Sequence, residues 1–223
     1  MNLILYYLFV YLIEAIILWL YCNRIFTSRK NTFLSLLITI GMLIPVAILT
    51  NAALNAFCSF IVYLCCIVLN YDSKPVWALF HALALTILMA LSEGLIAAAI
   101  PDITIYAFRD GNIHSSAFTF VILSKSVYLC ISQLVTRIFS KDTVNNASIR
   151  KSTLMLYLIP VMSSIITVSL GYICLNGKLS GSDSVIVFIC LVLLLSINIL
   201  TFYLQQDISQ KNVEYGRLQI ELQ

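Results

Sequence analysis

The sequence predicts an all-α polytopic membrane protein, with about seven transmembrane helices followed by a cytoplasmic, coiled-coil-like C-terminal helix. Three observations predict it. Of 223 residues, 61% are hydrophobic and only 10% are charged, against roughly 25% charged in a soluble domain. Mean hydropathy is +0.99, which places the chain with integral membrane proteins before any motif is read. Seven glycines and four prolines are few enough for long helices, and the alternating segments of ~10 residues that mark a membrane β-barrel do not occur.

A helix that crosses a ~30 Å hydrocarbon core needs about 20 apolar residues. Seven runs qualify, at roughly 2–22, 32–50, 53–70, 77–100, 116–138, 153–174 and 184–204. The first has no basic leader and no small-residue cleavage site, so it reads as a retained helix rather than a signal peptide. The second and third together cover 39 residues, about 58 Å of helix. That is nearly two crossings, so they must fold back as a tight hairpin, with Asn51 or Asn55 as its natural cap. Pro45, Pro101 and Pro160 are placed to kink or begin helices.

Orientation follows from the basic residues. With Met1 outside, the 23–31, 71–76 and 139–152 loops and the tail face the cytoplasm. They and the adjoining helix ends hold ten of the 13 Lys and Arg; the outer loops hold only Arg109 and Lys178, and Lys125 lies within a span. The expectation is a multi-pass membrane protein, N-terminus outside and C-terminus inside. Trp19 and Trp77 then fall near the inner interface, where indoles prefer to lie. The longest outer segment, Pro101–Ser116, is too short to be a soluble domain.

Domain organisation is a seven-helix membrane domain over 1–204 and a cytoplasmic signalling helix over 205–223. In that tail Leu204, Ile208, Lys211, Tyr215, Leu218 and Leu222 are spaced 4, 3, 4, 3 and 4, a heptad seam running straight out of the last span. Lys211 sits on the seam, and Gly216 weakens the helix by about 1 kcal/mol relative to Ala. The tail is net acidic, with Lys211 and Arg217 against Asp207, Glu214 and Glu221. A coiled coil that pairs two copies into a homodimer therefore fits better than a helix lying on anionic lipid. The seam reaches Gln223 without a helix-stop signal, which reads as a connector to a downstream output.

Four ionisable side chains fall inside spans: Glu14, His81, Glu93 and Lys125. Each costs about 2.5–3.5 kcal/mol on insertion scales if left alone near a helix centre. Counting residues from the outer ends puts Glu93 ~10 Å, Lys125 ~14 Å and Glu14 ~18 Å deep. Spans four and five are antiparallel neighbours, so a Glu93–Lys125 ion pair is reasonable, and Glu14 can share Lys125 from another helix. These three are the candidate ligand-binding or signal-coupling residues; a structural pair joining two helices is the blander reading. His81 lies ~18 Å below Glu93, too far for that group, and reads as an interfacial, hydrogen-bonded histidine.

No catalytic site is expected. There is no Gly-rich phosphate loop, no HExxH and no paired aspartates, and His81 and Cys130 could approach only loosely. No metal ligands and no cofactor are expected: the seven cysteines show no CxxC spacing and sit almost all in apolar runs, where a thiol is a small hydrophobe. The basic residues are dispersed by topology, so no nucleic acid partner is expected.

The segments KPVWALFHALALTILMALSEGLIAAAI and YLQQDISQKNVEYGRLQIELQ, a short basic first loop and a heptad helix leaving the last span together resemble the N-terminal membrane sensor region of bacterial GHKL-type (Agr-like, quorum-sensing) histidine kinases. The resemblance implies that an extracellular signal, often a peptide, binds the outer half of the bundle and shifts the tail helix inside. It also implies a two-component system in which the tail continues into a dimerisation helix with a phosphoacceptor histidine and an ATP-binding domain. This chain carries neither, so no catalytic residue transfers to it. The expected partners are the lipid bilayer, a second copy of the chain, and an extracellular small molecule or peptide. The alternatives are a small transport or permease subunit using the same polar cluster as its substrate site, and a scaffold with no ligand.

Overall fold

The computed structural model describes residues 3–29, 31–48, 52–102, 115–139, 157–176 and 181–221. Among them are seven α-helices: α1 (Leu3–Ile25), α2 (Thr32–Leu43), α3 (Ala52–Asn70), α4 (Pro75–Ala99), α5 (Ser115–Ile138), α6 (Leu158–Asn176) and α7 (Gly181–Glu221). Each predicted run contains one helix. Four of them, α1, α4, α5 and α7, are long and apolar enough to cross a membrane; α2, α3 and α6 carry shorter apolar stretches, Phe33–Val46, Leu54–Asn70 and Leu158–Leu170.

The prolines set several of these limits. Pro75 is the first residue of α4, where its missing N–H costs nothing. Pro160 lies in the first turn of α6. Pro45 cannot donate to the carbonyl of Gly41 and crowds it, and there α2 gives way to a 3₁₀ turn, Ile44–Ile48. Twelve α-helical and five 3₁₀ residues rise together about 28 Å. The start of α2 is capped by Asn31, whose side chain accepts from the Phe33 N–H at 3.1 Å. The cap expected at the hairpin tip is not Asn55, which lies inside α3 and spans to another helix; Asn51 is outside the described residues.

α4 is the hub. It packs against α3, α5, α6 and α7, while α1 packs against α2 and α5. Most of its length is buried, and alanines make up much of the buried surface, since small side chains let membrane helices approach closely. At Gly94 the approach to α7 is close. A Cβ there would sit 3.2 Å from Leu191 Cδ1 on α7.

Cross-helix bonds fix which helix ends lie together. The ends of α1 and α3 meet in a two-residue antiparallel ladder, β1 (Thr27–Ser28) with β2 (Tyr71–Asp72), so the described residues are not all α. Arg29 extends the clasp by donating its N–H to Asn70 O at 2.9 Å and pairing with Asp72 at 3.1 Å. At this same end the Tyr157 hydroxyl donates to Val76 O at 3.3 Å, tying the start of α6 to the start of α4. At the other end Tyr6 of α1 stacks edge-on against Phe118 of α5, and Ser184 Oγ of α7 donates to Ala98 O of α4 at 3.1 Å. The helices of the hub thus alternate in direction.

α7 is one unbroken helix of 41 residues. The 204/205 boundary falls within it, and Gln205, Gln206 and Ser209 beyond that boundary are still buried.

Candidate functional site

Three helices place the three predicted ionisable residues on one another. Lys125 Nζ on α5 lies 2.5 Å from Glu14 Oε1 on α1 and 2.5 Å from Glu93 Oε1 on α4. All three sequence candidates are in the site, and the depth count found them because charges at matched depth on adjacent helices are each other's cheapest partners. Lys125 and Glu14 are 3% and 4% exposed, whereas Glu93 is 40% exposed. The triad is a buried pair with one member reaching the surface. On the flank between α1 and α5, the Lys125 stem lines a shallow apolar groove of about 160 Å³ with Ile13, Ile16 and Ile122.

Tyrosines surround the triad. The Tyr63 hydroxyl of α3 donates to Glu14 Oε2 at 3.4 Å and touches Met89 Sδ of α4 at 3.3 Å. The phenol of Tyr128, one turn past Lys125, lies beside that of Tyr63 without a well-formed hydrogen bond. On the other side of Glu14, Asn55 Nδ2 donates to the Tyr11 oxygen at 2.7 Å, Tyr11 donates weakly to Val46 O at 3.4 Å, and Ser59 donates to Asn55 Oδ1 at 3.3 Å. The polar core thus links α1, α3, α4, α5 and the 3₁₀ turn. Sequence reasoning missed Tyr11, Asn55, Ser59 and Tyr63. The signal existed, because Tyr63 is about as many residues from the outer end of its span as Glu14, but tyrosine also serves as core or interface and does not announce a partner.

His81 is hydrogen-bonded, as expected, and it is packed inside the bundle. Its ring is fully buried, with Nδ1 and the Tyr21 oxygen sharing a hydrogen bond at 2.8 Å. Trp77 stacks on it at 5.7 Å, and Phe26, Phe80 and Phe139 meet it edge-on. Trp77 is itself fully buried, so its indole packs the bundle instead of anchoring an interface. Phe80 carries this aromatic box onto α6 and α7, touching Tyr157 at 5.0 Å and Phe202 at 5.6 Å. As the sequence indicated, His81 does not join the Glu93 group. Cys130 is exposed, away from the buried imidazole.

In the tail the seam residues Leu204, Ile208, Tyr215 and Leu218 are exposed, from 36% to 68%. At seam position Lys211 the ammonium folds back one turn to Asp207 at 2.8 Å. Among the described residues no group of three His, Cys, Asp or Glu could hold a metal ion. No known protein family, curated protein or solved structure matches the chain.

Proposed function

We propose that the chain is the membrane sensor module of a two-component histidine kinase of the GHKL, Agr-like kind, without catalytic activity of its own. The observation that carries this reading is α7. Its 41 residues extend ~60 Å, twice the hydrocarbon thickness, so a helix that begins at one face of the bilayer runs far past the other. A rigid helix of that kind moves as a unit, and its first half is fastened to α4, the helix that carries Glu93. In this reading all seven helices are spans, Met1 is outside, and the tail is in the cytoplasm of a bacterial cell. The exposed seam of α7 pairs with a second copy. The signal is an extracellular small molecule or peptide that meets the bundle near Glu93, Lys125 and Glu14.

The coupling route is physical. A ligand shifts an equilibrium only through contacts that differ between two states. Ligand contact at Glu93 changes the partnership of Lys125 and so the packing of α1, α4 and α5. α4 passes the change to α7 at the Gly94–Leu191 contact and again through Phe80 and Phe202. The alternative of a small transport subunit draws on the buried triad as a substrate site, but gives the projecting half of α7 no work.

The test is a fusion of the chain to a histidine-kinase core, with autophosphorylation read against signal in native membranes. Glu93→Gln and Lys125→Met are each expected to shift the dose–response by about fivefold to a hundredfold, the usual range of site coupling. An unchanged dose–response in both removes the triad from the mechanism.

A further inference from the structure

The flank where α1 meets α5 carries two features that point to one occupant. The two helices run parallel and in step. Tyr6 and Phe9 meet Phe118, and Glu14 meets Lys125, so a residue of α1 stands level with the one about 111 places later on α5. On the outside of this pair lies the shallow groove of about 160 Å³, with Ile13, Ile16, Ile122 and Ser126 among its walls. It is open to the surroundings, because Ile16, Ile122 and Ser126 are all exposed. The Ser126 hydroxyl is already spent within its own helix, donating to Ile122 O at 2.6 Å, so the groove offers an occupant an apolar surface.

Two arginines close the same flank where both helices end. Arg24 lies in the last turn of α1 and Arg137 in the last turn of α5. Both are exposed, and neither has a hydrogen bond or ion pair among the described residues, unlike Arg29 at the same end, which is held by Asp72. The register puts their levels about two residues, or ~3 Å, apart. Their faces agree with the groove as well. Arg24 follows Ile17, another groove residue, by seven residues, close to two full turns; Arg137 follows Ser126 by eleven, close to three. The arginine positions thus stand ~10–16 Å along the helices from the groove, about the ~15 Å half-thickness of a hydrocarbon core. Complementing the helix dipoles accounts for a basic last turn, but not for its alignment with the groove on both helices.

We propose that this flank binds one anionic phospholipid, its phosphate held between Arg24 and Arg137 and an acyl chain lying in the α1–α5 groove. Neighbouring helix axes are about 8–10 Å apart, a gap that two arginine side chains close around one phosphate. Guanidinium forks pair bidentately with phosphate oxygens, and basic pockets between membrane helices are a recurring headgroup site. An apolar groove accepts the chain of any lipid; the arginines select the charged headgroup. A second copy is a poor occupant, because a two-fold contact through this flank sets arginines against arginines. The stem of Lys125 lines the same groove, so the bound chain braces the pair of helices that joins Glu14 to Lys125. The inference needs only that α1 and α5 cross a membrane, and it is independent of the sensor reading.

The experiment measures phosphatidylglycerol binding to the whole chain in detergent by native mass spectrometry. Phosphatidylcholine is the zwitterionic counterpart, and glycerol 3-phosphate is the headgroup without chains. Phosphatidylglycerol is expected to bind more tightly than phosphatidylcholine. Arg24→Gln and Arg137→Gln are each expected to weaken its binding about fivefold, the ~1 kcal/mol of one basic residue at an anionic lipid, and Arg29→Gln to leave it unchanged. Ser126→Phe fills the groove from an exposed position and is expected to weaken binding too, with unfolding in lipid-free detergent unchanged. Equal binding of the two lipids would overturn the proposal. Equal losses in all three arginine variants would overturn it in favour of a diffuse basic surface. Glycerol 3-phosphate competing as well as the whole lipid, or Ser126→Phe binding like the parent chain, would overturn it by removing the acyl chain from the site. Where a glutamine variant also loses stability, Arg24→Lys and Arg137→Lys decide: retained charge is expected to recover part of the binding, and no recovery with a stable fold would overturn the phosphate contact.

Discussion

Lys125 is the residue on which the polar core depends, because among the described residues it is the cation paired with both Glu14 and Glu93. Removing one partner of a buried pair leaves an unpaired charge and costs about 3–5 kcal/mol. Lys125→Met is therefore expected to destabilise the bundle by about that much, measured by thermal or denaturant unfolding in mixed micelles. Adding Glu14→Leu should recover part of the loss, since contacting pairs couple by about 0.5–3 kcal/mol; strictly additive effects would mean the pair is not formed. At the other end, Tyr21→Phe is expected to cost about 1–3 kcal/mol by leaving His81 Nδ1 buried and unbonded. The charges were legible in the sequence because each has few affordable partners in a membrane. The aromatic box around His81 was not. Its rings come from α1, the loop after it, α4 and the end of α5, and no spacing within one helix records that meeting. Lys211 was legible as a defect in the seam, but not its remedy, the turn back to Asp207.

At the scale of elements, Gly94 and Leu191 make a close join between α4 and α7. Gly94→Val is expected to push α7 off α4 and cost about 1–3 kcal/mol, as overpacking does. Leu191→Ala alone removes a fully buried side chain and should cost about 2–5 kcal/mol. The double variant should lose less than the two losses added, measured by the same unfolding assay; a full sum would show that the two residues do not touch. The helix positions were readable from apolar runs, whose lengths reflect the solvent they cross. The short α2 was only half readable. Pro45 announces a break, but the hairpin closes where Val46 and Asn55 meet Tyr11, eight residues into α1, or ~12 Å from its start. That level is set by a contact between helices, not by the local sequence.

For the whole molecule, the proposed reading has a change at the triad felt at the tail through the alternating helices and the ~60 Å reach of α7. The polar residues on the inner face of α7, among them Ser184, Asn198 and Gln205, are buried, and its apolar residues, among them Ile189, Leu193 and Leu200, are exposed. That inversion suits a helix whose outer face meets lipid. Toward the tail the same exposed apolar face continues as Leu204, Ile208, Tyr215 and Leu218, which in the proposed reading is where a second copy fits. The most direct test is disulfide crosslinking in native membranes, in a cysteine-free background, of Leu218→Cys on the seam against Gln210→Cys, exposed and off the seam. Efficient dimer formation at Leu218 and little at Gln210 is the expected result. Equal crosslinking at both positions, or none at Leu218, would contradict a paired output helix and with it the sensor reading.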